Sequence, residues 1–431
     1  MLNESVKVSV GLTREWDARK AGKDIAEKTL EKLDGTPDFF ILFSTIHYQD
    51  HGGLKELLNG IYEVLPKEVP LVGGTVKGFS NNYGCYARGA TALAVSSDQM
   101  DVAIGIGHNT KRNPKKATEK CVQMIKEKLD NSTYKNGFLL NIISGSEIPN
   151  IPPIGRKKII EPGAAPNTLM KLFSFSQKTL QMGAARDEEI MEEMVSLMPD
   201  FSMLSGGSLD EGSGFRNFQF HNGEVLKNAI VTLGIKTDLD PYVKSTHNMK
   251  KTDIEFEITK MSKDCRIIHE INGKPALQEL LRLLNWPKNF LNEETWLKTT
   301  FYFPIGGKCV EQSADENSPH VIGIILGESL LLTCKIISSH ASILTIDGKR
   351  LLDAVDENLS YQNISPIFGL ISSCATRLET LGNKIYDVRD RIDSYMDGNP
   401  FIVFYVGGES TYSLESGLDY ANMSFNAALF A

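Results

Sequence analysis

Two charged side chains near the C-terminal end of the chain, Arg377 and Glu409, have the chemistry to hold a zwitterion. Arg377 follows the strand-like run in SPIFGLISSCATR, and Glu409 follows Gly-Gly in FIVFYVGGEST. A guanidinium group offers a planar fork to a carboxylate, and a carboxylate accepts hydrogen bonds from an ammonium group. If their strands are neighbours, the two side chains predict a small-ligand site. A structural ion pair that joins the strand ends is the alternative.

Cys374 is the candidate nucleophile at the same strand end. A helix N-terminus can stabilise a thiolate and so activate the sulfur. A cysteine in such a place more often packs as a small residue, and no histidine lies near Cys374 in the sequence. Catalysis therefore stays the minor alternative. The other predicted ligand-binding residues are Ser373, Gly408 and Asn422, the last of which either closes the site or pairs with the backbone.

Gly-Gly follows an apolar run in two further places, PLVGGTVKG and FSMLSGGSLDEG. Glycine at a strand end lets the backbone adopt a positive φ or approach another group where a Cβ would not fit. We expect Gly73, Gly207 and Gly408 to lie at strand ends under one of these constraints. If the strands are neighbours, their ends form a crevice of the kind in which layered α/β sheets bind ligands. The secondary binding candidates are Gly73, Gly74, Thr75, Gly207, Ser208 and Asp210.

The segment HYQDH, His47 to His51, is a candidate metal site. Two histidines four residues apart can share a metal on a helix, but this segment is predicted to be a strand-to-helix loop, and aspartate replaces the glutamate of H-x-x-E-H. The six cysteines contain no CxxC pair. We therefore expect no metal and no cofactor. Haem is the alternative, because one axial histidine would suffice, and the sequence does not choose among the eight histidines.

The composition indicates a globular protein without a nucleic-acid or membrane partner. The chain has 431 residues, 41% of them hydrophobic and 23% charged, and a formal net charge of −8. Nucleic-acid binding needs concentrated Lys and Arg, which this balance does not supply. No stretch is long and apolar enough to span a bilayer, and the first residues carry neither a basic nor an apolar export signal. We expect a cytoplasmic location.

Strand-like and helix-like segments alternate along the chain. VKVSVGL predicts a strand, and the next segment predicts a helix with Thr13 as its N-cap. ARGATALAVSS and MDVAIGIG, separated by Asp98 and Gln99, predict a hairpin. The order of strand, helix, strand with Gly-Gly and hairpin occurs up to three times, which predicts an α+β fold of mixed sheets flanked by helices.

The chain length favours two domains. A polar segment with a proline, TDLDPYVKSTHNMKKTD, places the predicted boundary between residues 1–245 and 246–431. A proline- and glycine-rich stretch at 151–178 is predicted to be a surface insert of the first domain.

Several of these segments together resemble the FIST family, the F-box and intracellular signal transduction proteins. SPIFGLISSCATRLETLG, PFIVFYVGGES and ANMSF are similar to its C-terminal half, FIST C, with a Ser-Cys-x-x-Arg segment, a strand that ends in Gly-Glu and a late Asn-x-Ser. PLVGGTVKG and LSGGSLDEG are similar to the glycine segments of its N-terminal half, FIST N. The insert at 151–178 and Leu209, where a small residue is usual, depart from the family's pattern.

The resemblance implies a cytoplasmic sensory module that binds a small ligand, an amino acid or a derivative of one. The signal would pass to an output protein on a separate chain. Three alternatives stay open. They are an enzyme that uses Cys374 as its nucleophile, a haem-based gas sensor similar to some bacterial members, and a protein-interaction adaptor whose pocket is vestigial.

Overall fold

The computed structural model describes residues 6–33, 35–150, 155–160, 175–287, 289, 291–293, 296–360 and 364–431. The predicted insert at 151–178 lies outside the described residues except for 155–160 and 175–178. Within the described part, strands and helices are mixed along the chain, so the α+β prediction is confirmed. None of the helices in these residues is long and apolar enough to cross a membrane.

The strands are, in chain order, β1 (Val6–Thr13), β2 (Phe39–Thr45), β3 (Leu71–Val76), β4 (Gly78–Asn81), β5 (Gly84–Tyr86), β6 (Ala90–Ser97), β7 (Met100–His108), β8 (Asn136–Ser144), β9 (Ile159–Ile160), β10 (Phe201–Ser208), β11 (Gln219–His221), β12 (Glu224–Leu226), β13 (Ala229–Thr237), β14 (Pro241–Thr246), β15 (Lys250–Met261), β16 (Ile267–Ile271), β17 (Lys274–Pro275), β18 (Ile305–Gly307), β19 (Ser318–His320), β20 (Ile322–Leu326), β21 (Ser329–Leu332), β22 (His340–Thr345), β23 (Phe368–Cys374), β24 (Phe401–Ser413), β25 (Gly417–Tyr420) and β26 (Phe425–Phe430).

The α-helices are α1 (Ala18–Glu31), α2 (Leu54–Ile61), α3 (Pro114–Leu129), α4 (Asp187–Leu197), α5 (Ala276–Leu283), α6 (Trp296–Tyr302), α7 (Gly348–Asn358), α8 (Ala375–Leu381) and α9 (Ile385–Met396). Short turns of other helix types occur at Ile46–Gln49, Ser176–Leu180 and Gly382–Lys384.

Two sheets pack face to face at the centre of the molecule. The first has the order β1-β6-β2-β3-β11-β12, and the second has the order β14-β26-β23-β24-β10-β8-β13-β7. Their facing side chains form an apolar core, in which the rings of Phe43 and Phe404 stack at 4.2 Å between centroids. Helices α1 and α2 cover the outer face of the first sheet, and α3, α4 and α7 to α9 cover that of the second. The result is a four-layer arrangement of helices, sheet, sheet and helices.

The second sheet contains strands from both sides of the predicted domain boundary. β24 pairs in parallel with β23 and antiparallel with β10, so that Gly207 lies opposite Gly407. β10 in turn pairs in parallel with β8. One sheet thus joins strands of 1–245 to strands of 246–431, and the division at that boundary stays a prediction.

A third sheet, of order β19-β18-β22-β15-β16-β21-β20-β9, lies beside the central pair. Its core packs against α5 and the buried side chain of Trp296. β20 and β21 of this sheet approach the second sheet near β24, and the space between them contains the candidate site.

Two local predictions are wrong. β6 and β7 do not form a hairpin: β6 pairs with β1 and β2 in the first sheet, while β7 pairs with β13 in the second. Both edges of β6 are hydrogen-bonded to its neighbours, which leaves no edge for β7. Thr13 does not cap the first helix, because it still belongs to β1. Asp17 caps α1 instead, accepting a hydrogen bond from the Lys20 N–H at 3.0 Å.

The three glycines selected from the sequence are under the expected constraints, although two of them lie inside strands rather than at strand ends. A Cβ on Gly73 would lie 1.7 Å from the carbonyl oxygen of Leu42 on β2. A Cβ on Gly207 would lie 2.6 Å from the carbonyl oxygen of Gly407, and Gly408 has a φ of +64°. Gly73 and Gly408 are followed by further strand residues, so β3 and β24 continue past them.

We predict that Gly73→Ala destabilises the protein because the methyl group forces β2 and β3 apart. Overpacking of this kind costs about 1–3 kcal/mol or more. The control is Gly348→Ala at the start of α7, where a Cβ meets nothing within 4 Å, and its effect should stay within about 1 kcal/mol. Urea unfolding measures both free energies. Equal stability of the two variants would show that the close approach at Gly73 is wrong.

Candidate functional site

A cavity of about 280 Å³ lies between the second and third sheets. Chain segments that follow strands of the second sheet form one side of it, and β20 and β21 form the other. Its wall is made by residues from 145–148, 183–187, 209–214, 374–379 and 406–408, by parts of β20 and β21, and by Lys77, Lys158, Phe301, Thr333, Tyr420 and Asn422.

Asp187, the first residue of α4, supplies a buried carboxyl group to this wall. Its side chain is brought there by Arg186, whose φ of +61° turns the chain into the helix. Oδ2 of Asp187 accepts a hydrogen bond from the Tyr420 hydroxyl at 2.8 Å. Oδ1 is buried and has no hydrogen-bond partner among the described residues.

The environment of Asp187 favours its protonated form. Burial, and next the negative charge of Glu188, raise the pKa of Asp187 well above its ordinary value. Both causes act against the charged carboxylate. The wall of the cavity therefore favours the neutral form of this carboxyl group, whereas a nearby cation would favour the charged form.

Glu409 is a second buried carboxyl group, placed behind the wall rather than in it. The residue is fully buried, and neither carboxyl oxygen has a hydrogen-bond partner among the described residues. Burial raises the pKa of Glu409 well above its ordinary value. Gly408, its neighbour on β24, is in the wall, and a Cβ there would lie 1.5 Å from Oδ2 of Asp187.

Arg377 does not reach the cavity. It is buried, with one guanidinium nitrogen donating to the Leu351 carbonyl at 2.5 Å and another to the Met423 carbonyl at 3.4 Å. Burial lowers the pKa of Arg377 to about 10. No hydrogen bond joins Arg377 to Glu409 among the described residues, and neither residue lines the cavity.

Cys374 lines the cavity but lacks the activation that a nucleophile needs. Its sulfur lies 2.9 Å from the Thr376 hydroxyl. Burial, and then the charge of Glu409, raise the pKa of Cys374 to about 12. The thiol is favoured over the thiolate, and α8 does not reverse this.

Asp210 also lies in the wall, where it shapes a loop. Its two carboxylate oxygens accept hydrogen bonds from the backbone N–H groups of residues 212, 214, 215 and 216 and from the Ser213 hydroxyl. Although burial opposes ionisation, these bonds, that of Ser213 first, lower the pKa of Asp210. Its acceptor capacity is used within the loop, so Asp210 positions the wall.

The structure brings together some of the residues selected from the sequence. Four of them line the cavity, namely Asp210, Cys374, Gly408 and Asn422. The others are not in its wall. They are Ser373, Arg377, Glu409, Gly73, Gly74, Thr75, Gly207 and Ser208. The glycine segments do meet, since a Cβ on Gly74 would lie 2.9 Å from the Ser208 hydroxyl oxygen.

Sequence reasoning missed Asp187 and Tyr420. Asp187 belongs to RDEEIMEEM, in which acidic residues open a helix, and such residues are usually exposed and interact with the helix dipole. Nothing in the segment distinguishes a buried carboxyl group from a solvated one. Tyr420 comes from β25, a short strand that the sequence did not predict.

The histidines of HYQDH are engaged in local contacts. His47 lies in the short turn Ile46–Gln49, with Nδ1 at 2.7 Å from the Thr45 hydroxyl, and burial lowers its pKa to about 4. Nδ1 of His51 lies 2.8 Å from the His47 carbonyl oxygen. In the part of the chain that the structure describes, no group of three or more His, Cys, Asp or Glu side chains has the arrangement of a metal site.

Comparison with known sequences assigns the chain to a class of sensory domains of signal transduction. The sequence model of the FIST N domain matches residues 38–274, more than half of the chain, and the chain therefore belongs to the FIST family. The match continues past residue 245, the predicted end of the first domain. The similarity of 246–431 to FIST C stays a prediction.

Two further similarities are more limited. An uncharacterized protein of Methanocaldococcus jannaschii is 33% identical over 85 residues, which are 19% of this chain and 16% of that protein. Among solved structures, cyanuric acid hydrolase from A. caulinodans is similar over 54% of this chain and 71% of its own, with 9% identity and a TM-score of 0.28. At that TM-score the similarity supports no inference about this chain.

We predict that Gly408→Ala destabilises the protein more than Gly398→Ala. Both glycines have a positive φ, +64° and +79°, and a side chain there costs about 1–2 kcal/mol. Only at Gly408 would the methyl group also collide with Asp187, since a Cβ on Gly398 meets nothing within 4 Å. Thermal unfolding compares the two variants. Equal losses would show that β24 does not press against Asp187.

The raised pKa of Asp187 predicts how the stability of the protein depends on pH. The folded protein keeps this proton above the ordinary pKa of 3.8, whereas the unfolded chain releases it there, so rising pH favours unfolding. The stability of the wild type relative to Asp187→Asn should therefore decrease as the pH rises above the ordinary carboxyl pKa of 3.8, as measured by urea unfolding. A difference that is constant, or that grows with pH, would contradict the raised pKa.

Proposed function

We propose that the cavity binds a small molecule with an ammonium group, an amino acid or a derivative of one, and that the protein is a sensory module. The observation that carries this proposal is the carboxyl group of Asp187, a residue of the cavity wall whose buried Oδ1 has no hydrogen-bond partner among the described residues. Such an oxygen costs about 1–3 kcal/mol when it stays unsatisfied. A ligand that donates a hydrogen bond to it recovers this free energy.

The charges around the cavity favour a cation at this end. Glu188, which follows Asp187 in α4 and contacts Arg266, and Glu409, which lies behind Gly408, are acidic residues next to this part of the wall. An ammonium group beside Asp187 would lower the pKa of that carboxyl and convert it to the charged carboxylate. A neutral donor would gain only an uncharged hydrogen bond, which is weaker.

The rest of the wall fits the other parts of an amino acid. Leu209, Ile324 and Leu331 offer apolar contacts for a side chain. Lys77 and Lys158 are the cationic residues of the wall, and either can meet a carboxylate. Lys77 is also paired with Glu379. The proposal thus keeps the zwitterion expected from the sequence but replaces Glu409 by Asp187 and Arg377 by a lysine.

The alternative functions receive less support. An enzyme that uses Cys374 would need a thiolate, which burial and Glu409 disfavour. No histidine is among the described residues of the wall, so a haem in this cavity would lack an axial imidazole. The adaptor alternative receives no support from the cavity, because a protein-interaction surface does not require one.

The signal would pass to an output protein on a separate chain in the cytoplasm. A ligand between the sheets would contact β24 of the second sheet and β20 and β21 of the third at the same time. Binding would therefore stabilise one relative placement of these elements, which is a change that a partner can recognise.

We predict that an amino acid or a related amine binds and raises the melting temperature in a screen of these compounds. Asp187→Asn should weaken the binding about 10- to 100-fold, because a hydrogen bond to a charged group contributes about 1.5–3 kcal/mol. Calorimetry in two buffers of different ionisation enthalpy should also show proton release on binding, since Asp187 becomes charged. The matched control is Asp200→Asn, an exposed carboxylate just after α4, which should bind as the wild type does.

Two results would overturn the proposal. One is a screen in which amines and amino acids leave the melting temperature unchanged while neutral compounds raise it. The other is a bound amine whose affinity is the same in the wild type and in Asp187→Asn.

A further inference from the structure

Behind Asn422, on the side away from the cavity, lies a buried thiol with three polar neighbours. The sulfur of Cys334 is 3.0 Å from Nδ1 of His320 and accepts a hydrogen bond from the Asn422 side-chain amide at 3.1 Å. Cys334 and His320 are both almost completely buried. Cys334 follows Thr333, which lines the cavity.

The hydrogen bonds of His320 and Asn422 define the protons around this sulfur. Nε2 of His320 lies 3.0 Å from the Gly307 carbonyl oxygen, which only accepts, so Nε2 carries a hydrogen. The Asn422 amide donates to the sulfur as well as to the Pro319 carbonyl oxygen. The hydrogen bond from Asn422 favours a thiolate at Cys334, and Nδ1 of His320 is placed to exchange a proton with the sulfur.

The charges near the sulfur support this description. Burial opposes ionisation, but the hydrogen bond from Cys309 and the charge of His320 lower the pKa of Cys334 well below its ordinary value. The pKa of His320 is raised by Cys334 against the effect of burial. The other charged groups near this sulfur form two ion pairs. Arg266 contacts Glu188, and Lys335 contacts Glu192.

A second thiol lies near the first. Cys309 is buried in the same apolar cluster as Cys334, and burial and then the neighbouring Cys334 raise the pKa of Cys309 well above its ordinary value. The backbone brings the two segments together, since the Ile337 N–H donates to the Lys308 carbonyl at 2.8 Å. The Cys334 sulfur is thus the candidate to attack an oxidant, and the Cys309 sulfur is the candidate to attack the oxidised Cys334.

We propose that Cys334 and Cys309 form a redox-active dithiol that a hydroperoxide converts to a disulfide. The Cys334 thiolate attacks the terminal peroxide oxygen, the O–O bond breaks, and the alkoxide or hydroxide that leaves takes the proton of His320. The Cys309 sulfur then attacks the resulting sulfenic acid, the S–O bond breaks, and hydroxide leaves with the Cys309 proton as water. Both sulfurs are oxidised and the peroxide is reduced.

Cys374 provides the internal comparison. It lines the cavity, so a small oxidant meets it first, but its pKa is raised to about 12. Cys265 is half-buried at the surface and has no histidine among its described hydrogen-bond partners. If exposure decides reactivity, the half-buried Cys85 and Cys265 or the cavity-lining Cys374 react first. If ionisation decides it, Cys334 does.

The experiment treats the reduced full-length protein with substoichiometric hydrogen peroxide, alkylates the remaining thiols and maps the peptides by mass spectrometry. We expect a Cys309–Cys334 disulfide to form while Cys265 and Cys374 stay reduced. In Cys309→Ser the reaction should stop at a Cys334 sulfenic acid that dimedone traps. Oxidation of Cys265 or Cys374 with Cys334 still reduced would overturn the proposal.

The pH dependence tests the role of His320 as a positioning residue. The wild-type rate should change less than threefold between about pH 6 and about pH 8, because Cys334 is already a thiolate. In His320→Gln the rate at about pH 7 should fall about 10- to 30-fold and recover at higher pH, since an ordinary thiol is only a few per cent ionised there. A wild-type rate that rises tenfold per pH unit would contradict the thiolate, even if the variant does not fold.

Discussion

The contact between Asp187 and β24 is the constraint on which the site depends. A carboxyl group at the start of α4 is held against the backbone of Gly408, where a Cβ would collide with it, and it accepts a hydrogen bond from Tyr420. Burial and the charge of Glu188 favour its protonated form, and Oδ1 has no hydrogen-bond partner among the described residues. The proposed role of Asp187 in ligand binding rests on this unpartnered oxygen.

A second close approach, between β10 and β24, lies next to the cavity. β10 and β24 approach so closely at Gly207 and Gly407 that a Cβ on Gly207 would collide with the opposite carbonyl group. Because β10 precedes residue 245 and β24 follows it, the wall of the cavity is built from both halves of the chain. The third sheet closes the opposite side with β20 and β21. Neither half supplies the complete wall.

The sequence was sufficient for the fold class and for the glycines, because both depend on local patterns. Apolar strands such as β2 and the steric need at Gly73 are visible in single segments. The pairing of strands could not be predicted from the sequence. The segments of β6 and β7 have the pattern of a hairpin, yet the two strands belong to different sheets. The site depends on such long-range pairing. Arg377 and Glu409 were selected for their charges, but burial separates them from the cavity, whereas Asp187 resembles an ordinary helix-start acid in sequence.

Infrared difference spectroscopy tests the central claim directly, because a protonated carboxyl group has a carbonyl band that a carboxylate lacks. At neutral pH and without ligand, the wild-type spectrum minus that of Asp187→Asn should contain this band. An added amine or amino acid that binds should replace it by carboxylate bands, since Asp187 then loses its proton. A difference spectrum that contains only carboxylate bands before any ligand is added would contradict the account.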